Sequence, residues 1–73
     1  MNEGRQIRVT VRTVHAVYTG GLFVPAKRKR FSDVINDASA LFINLTDVRM
    51  NGSSEKIEHL SLNKYLIESI RNV

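Results

Sequence analysis

Gln6-Ile7-Arg8-Val9-Thr10-Val11-Arg12 alternates polar and apolar residues without a break. Successive side chains of a β-strand point to opposite faces. Ile7, Val9 and Val11 therefore share one face, and Arg8, Thr10 and Arg12 share the other. One buried face and one solvated face is what an antiparallel sheet or a barrel wall requires, so the stretch points to an all-β fold.

The segments downstream fit the same reading. Val17 to Val24 is rich in β-branched and aromatic residues and forms a second strand, paired with the first as a hairpin. Gly20 and Gly21 inside it mark a bulge or a sharp bend. Pro25 ends the strand because it cannot donate to a ladder. Ala26 to Arg30 is a basic connector. Ser32 then reads as an N-cap for a single helical turn near residues 32–36, with Asp33 at its positive end and polar Asn36, Asp37 and Ser39 closing it.

Ala40 to Met50 is the longest apolar strand segment. Leu41, Ile43 and Leu45 fall on one face, whereas Val48 and Met50 have the opposite parity. A β-bulge near Thr46 or Asp47 produces a one-residue slip of this kind. Asn51-Gly52 is a strong hairpin signal, because both residues tolerate positive φ. A fourth strand follows from about Glu55 to Leu62, then a turn over Asn63 to Tyr65. Leu66 to Val73 closes the structure as a fifth strand paired with the first. The expected fold is a small five-stranded β-barrel. The rival is a four-stranded antiparallel sheet with a C-terminal helix, since Leu66, Ile67 and Ile70 also fit helical spacing and Asn63 suits a helix cap.

With 73 residues the chain has room for one domain, spanning 1–73. Domains this small usually need a disulfide, a metal or a partner subunit to supplement their core. The chain has no cysteine, and His15 and His59 have no second ligand at metal-site spacing, which leaves self-association. No apolar run reaches the roughly 18 residues of a membrane span, and Met1 to Arg5 lacks the apolar stretch of a signal peptide. A cytoplasmic protein without membrane contact is expected.

An enzyme is not expected. None of the serines sits in a nucleophile elbow, no phosphate loop follows Gly20-Gly21, and Asp33 and Asp37 suit helix capping better than acid-base work. No cofactor is implied. The net charge of +4 and a pI near 10.0 direct attention to cations. Lys27-Arg28-Lys29-Arg30, joined by Arg8 and Arg12 on the outer face of the first strand, form the nucleic-acid-binding candidate. The bland alternative is a solvated loop that keeps the domain soluble. Base recognition usually adds exposed aromatics, and most of Tyr18, Phe23, Phe31, Phe42 and Tyr65 read as core, with Tyr18 and Tyr65 left for stacking. Phe31 reads as a lid on the barrel end.

The string Arg30-Phe31-Ser32-Asp33-Val34-Ile35-Asn36 joins Gly21-Leu22-Phe23-Val24-Pro25, Phe42-Ile43-Asn44-Leu45-Thr46-Asp47-Val48 and Leu62-Asn63-Lys64. Together they resemble an uncharacterised bacterial family of small domains over most of residues 6–73, a likeness that implies no particular activity. The strand order also resembles Sm-like proteins, which implies a small barrel that assembles and reads RNA. The last tight turn here is Asn63-Lys64-Tyr65 and lacks the Sm-like glycine, so the RNA-contacting residues of that family do not carry over. The expected function is a binding or assembly module, contacting a protein partner or a second copy of itself. The alternative is an RNA- or DNA-binding barrel using the basic loop.

Overall fold

The computed structural model describes residues 4–25 and 31–73, with the side chains of residues 31 and 32 left aside. Five strands and two short helical turns follow in the order β1 (Gly4–Thr13), β2 (Val17–Pro25), α1 (Phe31–Ile35), β3 (Phe42–Met50), β4 (Ile57–Asn63), a 3-10 turn (Lys64–Leu66) and β5 (Ile67–Asn72). The strands form one antiparallel sheet in the order β4-β3-β2-β1-β5. The rival C-terminal helix is overturned, because residues 67–72 pair with β1. That strand takes the edge position itself, and among the described residues no ladder joins it to β4.

The alternation in β1 decides which face is inner. Val9 and Val11 are fully buried, and they gather with Leu22, Ile43, Leu45, Val48 and Leu62 into one core. Ile7, Tyr18, Ile57, Leu60, Ile67 and Ile70 pack around it half-buried. The β1–β2 turn is held by buried Thr13, whose Oγ1 accepts from the amides of His15 and Ala16, both at 3.2 Å. These bonds satisfy turn amides that neither strand can reach.

The expected bulge is present. Opposite β2, the register advances from Thr19↔Arg49 to Gly21↔Thr46, so β3 carries one extra residue there. Asp47 holds it with φ 51°, and Val48 turns back into the core. Gly20 lies opposite: a Cβ on it would stand 2.9 Å from Val48 Cγ2 and 3.1 Å from the Thr46 carbonyl. The glycine therefore lets the bulged strand come close. Asn51 and Gly52 take φ 53° and 74°, as a tight hairpin turn requires, and Asn51 Oδ1 also accepts from the Val17 amide at 2.9 Å.

The helical turn starts at Phe31, which places Ser32 within the turn rather than at its N-cap. Its exit is closed by Asp37, whose carboxylate accepts from the Ser39 amide at 3.0 Å and the Ser39 hydroxyl at 2.6 Å. Lys64 ties this exit to the far end of the sheet, its Nζ donating to the carbonyls of Val34 at 3.3 Å and Asp37 at 2.7 Å. A lysine bonding the last carbonyls of a helix satisfies groups the helix leaves open.

Candidate functional site

Arg8 and Arg12 stand where alternation places them, exposed on the solvated face of β1. Arg8 donates to the Asp47 carbonyl at 3.4 Å, across the neighbouring strand. Lys27-Arg28-Lys29-Arg30 lie outside the described residues, as do the Ser32 and Phe31 side chains assigned to a cap and a lid.

Pairing brings two further arginines to that face. Arg71 stands opposite Thr10, Thr10 opposite Thr19, and Thr19 opposite Arg49, so one rung crosses β5, β1, β2 and β3. Strands lie about 4.8 Å apart, which makes this rung roughly 14 Å long. Arg12 and Ser69 form the next rung on β1 and β5. Thr10, Arg12, Val17, Ser69 and Arg71 enclose a cleft of about 310 Å³. Arg49 donates to the carbonyls of Ser53, at 3.4 Å, and Ser54, which anchors it towards the β3–β4 turn. Among the described residues, Arg12 and Arg71 have no side-chain hydrogen bond or ion pair.

A second surface lies at the end of the sheet where β4 passes into β5. Leu41, Phe42, Tyr65 and Leu66 are 56, 52, 87 and 48% exposed there. The Lys64 amide donates to the Leu41 carbonyl at 2.9 Å, which brings the two segments together. The Tyr65 amide donates to Asn63 Oδ1 at 2.9 Å, so Asn63 caps the turn that carries Tyr65 and Leu66 outward. Beside it, Ile35, Ala38, Ala40, Leu41, Lys64 and Tyr65 line a cleft of about 320 Å³. The sequence reading placed Leu41 on the face of Ile43 and Leu45, and Phe42 in the core. Both are exposed, because Leu41 precedes the strand and Phe42 points to its solvated side opposite Asn63. Phe23 is also exposed. Tyr18, assigned to stacking, instead packs half-buried on the core, while Tyr65 is open to solvent.

The two edges can be read amide by amide. The Lys64 amide points at β3, so alternation turns the N–H and C=O groups of His59 and Ser61 to the open side of β4. The Val73 amide donates to the Arg8 carbonyl at 2.9 Å, which turns those of Ile70 and Asn72 to the open side of β5. Among the described residues no helix is long and apolar enough to cross a membrane, and no group of three or more His, Cys, Asp or Glu is placed to hold a metal. Searches of family models, curated proteins and solved structures find no match to this chain.

Proposed function

We propose that this domain is a non-enzymatic assembly module whose partner is a second copy of itself, joined through the edges of the sheet. The supporting observation is the pair of open edges. His59 and Ser61 on β4 and Ile70 and Asn72 on β5 present backbone groups at the same two-residue spacing. A ladder between β4 of one copy and β5 of the next satisfies both sets. Contact of this head-to-tail kind closes into a ring or continues as a filament, according to the rotation between copies. Exposed Tyr65 and Leu66 lie between the two edges, where apolar side chains add contact area. The size of the chain supports the same reading, since so small a core gains stability from a neighbour. The likeness to Sm-like barrels and to the bacterial family, and the cytoplasmic setting, belong to this proposal.

Sedimentation velocity over a wide concentration range tests it. The wild-type chain sediments as an oligomer, and His59→Pro sediments as a monomer, because proline removes an outward amide that the β3–β4 ladder does not use. A wild-type chain that stays monomeric at high concentration defeats the proposal.

A further inference from the structure

We propose that the cleft between β1 and β5 is a phosphate-binding site, formed by Arg12 and Arg71 with the hydroxyls of Thr10 and Ser69. This goes beyond self-assembly and does not depend on it, because all four residues belong to one copy and sit on the sheet face. Arg12 and Arg71 are diagonal neighbours on adjacent strands, about 7–8 Å apart, a separation that long side chains bridge. Both guanidiniums are exposed, and among the described residues neither is neutralised. Glu68, the residue skipped where the β1–β5 register shifts, makes no ion pair with them. Two cations held together repel, and an anion between them relieves that repulsion.

The donor set selects the anion. One guanidinium fork satisfies a carboxylate, whereas two forks and two hydroxyls match the several oxygens of a phosphate. Val17 supplies an apolar wall, and a cleft of about 310 Å³ leaves room for the carbon skeleton of a phosphate ester. The rung continues through Thr19 to Arg49, with Arg8 two residues back along β1 on the same face, so further cations line the path leading out of the cleft. The phosphate therefore comes from one of two sources: a small phosphorylated molecule seated in the cleft, or a single-stranded nucleic-acid backbone laid along the rung.

Amide chemical-shift titration tests the site with three probes: inorganic phosphate, glycerol phosphate and a short single-stranded oligonucleotide. Shifts at Thr10, Arg12, Ser69 and Arg71 saturate with inorganic phosphate and are absent with chloride at equal ionic strength. Arg12→Gln and Arg71→Gln each weaken binding about tenfold or more, the scale of a lost charge-assisted bond. Arg71→Lys restores only part of the loss, because it keeps the charge without the fork. A dispersed spectrum establishes that each variant is folded. Shifts that reach Arg8, Thr19 and Arg49 with the oligonucleotide identify a nucleic-acid backbone as the source. Shifts confined to the cleft, with glycerol phosphate bound as tightly as the oligonucleotide, identify a small molecule. Equal shifts with chloride, or full binding in both glutamine variants, overturn the site. The same titration on His59→Pro separates the two proposals, since that variant loses assembly and retains phosphate binding.

Discussion

β1 and β5 are neighbours in one ladder, yet they are buried to different depths. Val9 and Val11 of β1 are sealed from solvent, whereas Ile67 and Ile70 of β5 remain half-buried. β1 has a strand on each side and β5 has one, so the same apolar residue types gain less cover at the edge. The centre of the sheet thus holds the fold together, and the edges keep backbone and side-chain groups available for a partner.

The strongest challenge to this contrast is Leu45→Ala. Leu45 is sealed in the core, and its truncation costs about 2–5 kcal/mol. Domains have only about 5–15 kcal/mol in total, so urea unfolding shows a much lower midpoint or no folded baseline. A loss below about 1 kcal/mol means that the core is not centred on β1 to β3. Gly20→Ala comes next, at about 1–3 kcal/mol, because the new Cβ meets the Thr46 carbonyl, which belongs to backbone and yields poorly. An unchanged thermal midpoint for that variant means that β3 can move away from β2 at little cost. Ile70→Ala on the edge strand costs roughly 1–2 kcal/mol, about half the fully buried value, and a loss equal to that of Leu45→Ala erases the contrast. Lys64→Met is the mildest. It removes the bonds to the Val34 and Asp37 carbonyls for about 0.5–1.5 kcal/mol, and hydrogen exchange detects it as faster opening confined to residues 34–40.

Local pattern was enough for much of the sheet. Alternation in β1, the parity slip between Leu45 and Val48, and Asn51-Gly52 are each contained within a few residues, and each appears as read. The same reading misplaced Phe42 and Phe23, because it weighed hydrophobic character above parity: alternation turns both to the solvated face, beside buried Ile43 and Leu22. It also misplaced Leu41, which precedes β3 and is left uncovered. The arginine rung was half legible. Arg8 and Arg12 follow from alternation, but Arg49 and Arg71 reach that face through pairings some 30 to 60 residues apart along the chain, which nothing local reveals. Lys64 as the link to the helical turn was hidden for the same reason.

The extra residue at Asp47 has an effect beyond bending a strand. Downstream of it, Val48 faces inward and Arg49 faces outward, the reverse of an uninterrupted count from Leu45. Without the bulge, an unbroken strand that kept residue 47 would exchange the two, pushing a guanidinium toward the oily interior and leaving a valine in water. The lining of the interior and the charge of the exterior thus depend on one turn of backbone absorbing one residue. Deleting position 47 should leave a regular strand with Val48 still inward, whereas a β-branched residue there meets strain at φ 51°.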